Sequence, residues 1–325
     1  MAVNTKAIKR RIKSVGNTKK ITKAMEMVAA SKMRKATEAA LKTREYAQTA
    51  WNLLVTLAKM EKASSQPLLE IRPVKKLLLV LITSNRGLCG SFNSNIIRKT
   101  IAQLANPKNI SRHRIGSSHL EPLEDLKVDV IGVGKKGVNF VKKMGYTMIA
   151  AFTEISDTPR FNDLQTLSKM VIDSYANKEY DKVVVAYTNY KSSLVQEPKL
   201  RQILPVSAMD LEKMIGELDK RATGDAGRVM VEEEKKKENL MEYLFEPSRG
   251  EVLNIILPRL VESQVYQSVL ESAASEHSAR MMAMRNASDA ADDMIKELNL
   301  SFNKARQAGI TQEISEIVGG TAALE

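Results

Sequence analysis

Two stretches near opposite ends of the chain place mostly apolar or small residues at alternating steps of four and three. The first holds Met25, Ala29, Lys32, Ala36, Ala39, Thr43, Tyr46, Ala50, Leu53, Leu57 and Met60. The second holds Leu270, Ala274, His277, Met281, Met284, Ser288, Ala291, Ile295, Leu298, Phe302 and Ala305. This alternation keeps one stripe of a helix turned toward a partner helix, the pattern of a coiled coil. Residues 4–62 contain no proline and a single glycine, Gly16, so nothing in them stops a helix. The chain between the stripes joins the inner ends of both helices, so the pair must be antiparallel. At ~1.5 Å per residue, a first helix of about 58 residues spans ~87 Å and a second from about Ser248 spans ~115 Å, an overhang of ~30 Å. Pro258 predicts a break that separates the first turns of the second helix from the rest. His277 lies on the seam, and the seam methionines fill gaps between helices.

Between the stripes the period changes. KKLLLVLITS (75–84), LKVDVIGV (126–133), YTMIAAF (146–152), KVVVAYTNY (182–190) and LRQILPV (200–206) read as strands. Helical patterns fall at 92–105, 135–144 and 161–177. Strands alternating with helices predict a doubly wound, Rossmann-like α/β domain with a mostly parallel sheet. The expected organisation is an N-terminal helix over 1–62, an α/β domain over 74–240 and a C-terminal helix over 241–325. The polar stretch 106–125 predicts a surface loop, and the charge-rich stretch 224–240 a mobile connection or hairpin tip.

Within the α/β region, Gly132, Gly134 and Gly137 have the G-x-G-x-x-G spacing after a strand and before a helix, with Glu154 about twenty residues beyond Gly134. Two readings stand. One is a dinucleotide site, with backbone approaching a pyrophosphate at a helix N-terminus. The other is a set of turn glycines, which any doubly wound fold favours. A second turn, TSNRGLCGSFNSN (83–95), lacks the Gly-Lys-Ser/Thr of a phosphate-binding loop.

Charge divides unevenly. Residues 1–62 carry 15 Lys/Arg against 4 Asp/Glu, while 248–325 carry 7 against 11, so most of the net +12 sits on the first helix. Nucleic acid is one partner this suggests, and a solvated helix face is the other reading. No aromatic platform interleaves those basic residues. The single cysteine, Cys89, excludes an intrachain disulfide and a cysteine-rich zinc site, and His113, His119 and His277 are scattered. No apolar run approaches the ~18–20 residues that span a bilayer. The opening MAVNTKAIKRR lacks the apolar core of a signal peptide, so secretion is not expected.

IKRRIKSVGNTKKITKAMEMVAASKMRKA (8–36) resembles the opening helix of the gamma subunits of F-type ATP synthases, in the bacterial form. SARMMAMRNASDAADDMIKELNLSFNKARQAGITQEISEIVGGTAAL (278–324) resembles their closing helix, and GITQEISEIVGGTAAL is its most specific part. TSNRGLCGSFN (83–93) and VESQVYQSVLESAASEHSARM (261–281) are also similar to family stretches, with a looser likeness across 96–239. Asn85 stands where many relatives carry Asp.

The resemblance implies a non-catalytic rotor shaft with no cofactor, metal or substrate of its own and no nucleic-acid partner. Its partners would be the alpha and beta subunits, forming a hexamer around the coiled coil, with the epsilon subunit and the membrane c-ring beside the α/β domain. It would lie on the cytoplasmic face of the bacterial plasma membrane. The family's α/β domain has no known nucleotide site, which favours the turn reading of the glycines. By motif matching, Met25, Arg280, Gln307, Thr311 and Glu313 would make shaft–beta contacts, with simple seam packing the other reading of Met25. Lys20, Lys23 and Lys32 would face an acidic collar of beta loops. Ile310, Ile314, Ile317 and Val318 would form the stripe of a bearing tip, with Gly319 and Gly320 stopping the helix and TAALE frayed. With one cysteine, the paired-cysteine redox switch of plant-type relatives is absent. Two other classes remain on sequence alone: a nucleotide-binding α/β enzyme with helical arms, and a basic coiled-coil nucleic-acid-binding protein.

Overall fold

The computed structural model describes residues 5–60, 66–106, 110, 126–206, 246 and 248–322. Most of the expected loop at 106–125, the whole charged stretch 224–240 and the seam side chains from Tyr46 to Met60 lie outside the described residues. The chain forms two compact units, one of Met1–Ser31 with Arg280–Glu325 and one of Lys32–Ala279. Helix α1 (Thr5–Met60) and helix α5 (Arg249–Ala322) each contribute to both.

In the Lys32–Ala279 unit, β1 (Lys76–Ile82), β2 (Lys127–Val133), β3 (Thr147–Phe152), β4 (Lys182–Tyr190) and β5 (Gln196–Leu204) form one sheet in the order β3-β2-β1-β4-β5. The first three pairings are parallel and β4–β5 is antiparallel. The run Leu77–Ile82 is buried on both faces, as expected of a central parallel strand. Leu78, Val80, Ile82, Ile131 and Val133 face Leu167 and Val171 of α4 (Gln165–Ala176) and Leu253, Leu257, Leu260 and Val261 of α5. Leu77, Leu79, Leu81 and Val130 face Ile96 of α2 (Phe92–Leu104) and Val141 of α3 (Lys135–Met144). Helices on both faces make the sheet doubly wound.

Two expectations fail here for physical reasons. Strand β5 starts at Gln196, four residues before the expected 200, and it is an antiparallel edge strand. Its first half, QEPK, has no apolar alternation because it is half exposed and held by backbone pairing to β4; an edge position also tolerates Pro198. Helix α5 runs unbroken through Pro258. The missing hydrogen bond costs ~3 kcal/mol. Leu253, Leu257, Leu260 and Val261, all under 5% exposed, each return ~1.5–3 kcal/mol on burial, which outweighs it. Further along α5 small serines replace leucines, and Ser275 Oγ donates to Thr188 O at 3.1 Å.

The other unit is an antiparallel helical pair. Thr22 and Ser288 share a hydroxyl hydrogen bond at 2.7 Å, and Lys19 Nζ donates to Asp292 Oδ1 at 2.5 Å. Every predicted seam position of α5 from Met281 to Ala305 is buried or half-buried. On α1 the seam also extends toward the N-terminus, through Ile8, Ile12, Val15, Lys19, Thr22 and Glu26. The sequence reading began at Met25 because three of those six positions are polar or charged. Thr5, the first described residue, falls opposite about Ala305. From Arg306 to Val318 every residue of α5 is exposed except Gly309, which is half-buried.

The expected stop at Gly319–Gly320 is corrected: α5 continues to Ala322, past the first two residues of TAALE, and Ala323–Glu325 lie outside the described residues. A glycine ends a helix by turning left-handed, and the left-handed glycines among the described residues are Gly90, Gly134 and Gly145.

Candidate functional site

The glycine turn decides between a ligand site and a structural joint. Residues 83–85, following β1, lie over the N-terminus of α3. The Gly137 amide donates to Thr83 Oγ1 at 2.7 Å, the Lys136 amide to Ser84 O at 3.1 Å, and the Lys135 amide to Asn85 Oδ1 at 3.1 Å. The first three amides of the helix, the groups a pyrophosphate would need, are thus taken by the chain itself. A Cβ on Gly134 would lie 2.2 Å from Thr83 O, and one on Gly137 would lie 2.8 Å from Thr83 Oγ1. These two glycines admit Thr83, while Gly132 makes room for Val138. Glu154 is exposed. The space left at the carboxyl ends of β1 and β2 is about 40 Å³, bounded by Thr83, Asn85, Gly134, Asp157, Ser272 and Glu276, which is room for water and not for a dinucleotide. The turn reading is correct. Asn85 uses both ends of its amide, since Nδ2 donates to Ile155 O at 3.3 Å, and a carboxylate could not make that second bond.

The helices carry the remaining candidates. In the helical-pair unit Lys20 and Lys23 are exposed, and Lys23 Nζ donates to Glu26 Oε2 at 2.9 Å. Met25 and Arg280 are half-buried, so Met25 packs at the seam while keeping an exposed edge. Gln307, Thr311 and Glu313 are exposed on the overhang, and Thr311 Oγ1 donates to Gln307 O at 3.0 Å. Ile310, Ile314, Ile317 and Val318 are 48%, 56%, 68% and 60% exposed.

Lys32 lies in the α/β unit, where Nζ donates to Asp157 Oδ2 at 2.5 Å. That hydrogen bond holds the Asp157 carboxyl below its ordinary range against the opposing effect of burial, with the charges of Lys32, His277 and Arg86 adding. A depressed carboxylate stabilises the fold above the ordinary pKa of ~3.9, and the contribution is lost as pH falls through the depressed value. Sequence reasoning missed Ile21, Met27 and Val28, which are 60%, 60% and 55% exposed on the outer face of α1 beside the lysines. Their seven-residue spacing, Ile21 to Val28, was the available signal.

A family model described as ATP synthase matches residues 4–324. An ATP synthase gamma chain from Dehalococcoides mccartyi is 42% identical over 323 residues, covering 99% of each chain. The chain belongs to the ATP synthase gamma-chain family. A gamma chain from Herpetosiphon aurantiacus is 41% identical over 329 residues, again covering 99% of both. Among solved structures, a chain of the central stalk and c-ring of Tetrahymena thermophila mitochondrial ATP synthase is 26% identical with a TM-score of 0.52, over 82% of this chain and 99% of that one. A chain of Euglena gracilis mitochondrial ATP synthase, in rotational state 3, shares the fold with a TM-score of 0.59 at 19% identity, over 98% and 94%. The gamma-chain match thus spans the helical pair and the α/β unit alike, including the stretch 96–239 where the sequence motifs are loosest. No described helix is long and apolar enough to cross a membrane, and no described group of three His, Cys, Asp or Glu could hold a metal ion.

Proposed function

We propose that this chain is the central rotor shaft of an F-type ATP synthase. It couples proton-driven rotation of the c-ring to conformational change in the beta subunits, which carry the chemistry. The observation behind this reading is the antiparallel pair whose second helix outruns the first, in a chain matching bacterial gamma chains from end to end. The pair stands inside the alpha–beta hexamer, and the α/β unit is the foot beside epsilon and the c-ring. The shaft is a peripheral subunit, on the cytoplasmic face of the bacterial plasma membrane.

A rotor contact must form and break at every step, so it suits exposed polar and charged groups whose net energies are small. Lys20, Lys23, Gln307, Thr311 and Glu313 have that character, and half-buried Arg280 offers a charge with part of its surface open. The basic α1 face attracts an acidic collar of beta loops, and salt weakens the attraction. The defining experiment is purification of tagged chain from its host. Recovery of alpha, beta and epsilon as one ATP-hydrolysing complex supports the shaft, and recovery of the chain alone sinks it.

Met25→Lys adds a cation to the basic helix and removes packing from a half-buried seam position. One resting angle against the collar should deepen by ~1 kcal/mol, within the range of a single charge contact. Proton pumping per ATP should fall while assembly and hydrolysis persist. A pumping ratio equal to that of the unmodified complex would remove Met25 from the contact set.

A further inference from the structure

We propose that Lys32, Asp157 and His277 form a lock through which torque passes between the long helices and the α/β sheet, with Lys32 a positioning residue of the rotor itself. This rests on the shaft reading above. In a doubly wound fold the carboxyl ends of the strands take the ligand. Here a loop of the chain, residues 153–160 after β3, crosses that edge.

The loop is bonded to three separate parts of the Lys32–Ala279 unit. Asn85, at the end of β1, donates from Nδ2 to Ile155 O at 3.3 Å. Lys32 of α1 holds the Asp157 carboxylate at 2.5 Å. On α5, His277 Nε2 hydrogen-bonds Asp157 O at 2.9 Å, and Tyr266 OH donates to Pro159 O at 3.3 Å. Asp157 is therefore held through its side chain by one long helix and through its backbone by the other. His277 is 1% exposed, while the Lys32 and Asp157 side chains are 34% and 32% exposed, so the ionic arm is partly sheltered from water. Both helices continue out of this unit toward the helical pair. A twist of the sheet against α1 or α5 must stretch bonds to this one residue. A residue pinned from two sides, by its carboxylate and by its backbone carbonyl, resists such a twist better than apolar packing, which is non-directional.

The test uses the complete ATP synthase complex carrying Lys32→Asp, Asp157→Lys or both. Each single reversal should lower ATP-driven proton pumping per ATP hydrolysed by about three-fold or more, while subunit content and hydrolysis are retained, and the double reversal should recover at least about half of the loss. Local packing alone would not be rescued by exchanging the charges. Single variants that pump as the unmodified complex does, or a double variant no better than either single, overturn the lock. If the reversals fail to assemble, Asp157→Asn decides, because it keeps the shape and the backbone bond to His277 while removing the charge. A lowered pumping ratio in that variant supports the lock, and an unchanged one overturns it. Failure of the unmodified chain to copurify with alpha and beta subunits would sink the shaft reading instead, and it is read first.

Discussion

A chain ending at Gly309 is expected to assemble less well and, once assembled, to pump protons about ten-fold less per ATP hydrolysed, because the bearing loses its apolar seat. The deleted segment carries Ile310, Ile314, Ile317 and Val318, each about half to two-thirds exposed in the isolated chain. Completing the burial of four such side chains returns ~3–6 kcal/mol, taking about half of the full transfer value for each. Every ~1.4 kcal/mol is ten-fold in an equilibrium, so even after the cost of seating a helix end the loss is large. Thr311 and Glu313 go with it. Hydrolysis should persist in part, since no catalytic group is removed. Deleting only Thr321–Glu325 should be nearly silent, because it keeps the whole apolar stripe from Ile310 to Val318. The readings are ATP hydrolysis and ATP-driven proton pumping by purified complexes. Full coupling without residues 310–325 would mean that the overhang is not a bearing.

Gly134→Ala should cost at least ~4 kcal/mol, the range reserved for backbone conflicts and comparable with the whole stability of many domains. Gly134 sits at φ 88° and ψ 142°, a region that side chains avoid, and the conformational strain alone is worth ~1–3 kcal/mol. The new methyl would also fall 2.2 Å from Thr83 O, a backbone atom with no rotamer to escape into. Gly145→Ala separates the two effects. Gly145 is left-handed at φ 73°, and nothing lies within 4 Å of a Cβ there, so only strain of ~1 kcal/mol is expected. Denaturant unfolding of the purified variants gives the comparison. Equal losses at the two positions would mean that Thr83 yields, and that the joint is looser than its distances imply.

Local patterns carried much of this structure. The seam of α5 was readable because a helix facing a partner helix repeats its contacts every few residues, and β1, β2 and β4 were readable because strands buried on both faces carry near-continuous apolar runs, such as Leu77–Ile82 and Val183–Ala186. The N-terminal part of the α1 seam escaped because Lys19, Thr22 and Glu26 occupy it, where polar pairing does the work of apolar burial. The start of β5 escaped because an edge strand held by backbone bonds needs no side-chain period. Pro258 misled because burial of its neighbours outweighs a local penalty. The pairing of Lys32 with Asp157 was not legible because the two lie 125 residues apart, and no sequence period links α1 to the loop after β3. The glycine spacing was truly ambiguous: a backbone that must approach a phosphate and one that must approach a threonine ask for the same residue.

The hydroxyl bond between Thr22 and Ser288 bears on slippage. Two helices joined by small, similar side chains could slide past one another by a turn, ~5.4 Å, and still bury much the same apolar surface. With one hydroxyl pair set into that seam the alternatives are not equivalent, because slippage breaks the Thr22–Ser288 bond, worth ~0.5–1.5 kcal/mol, and leaves each hydroxyl only the bond to a carbonyl of its own helix. The bond works as a key in a keyway. It adds little to the strength of the pair at rest, and under load it decides which single alignment the two helices return to.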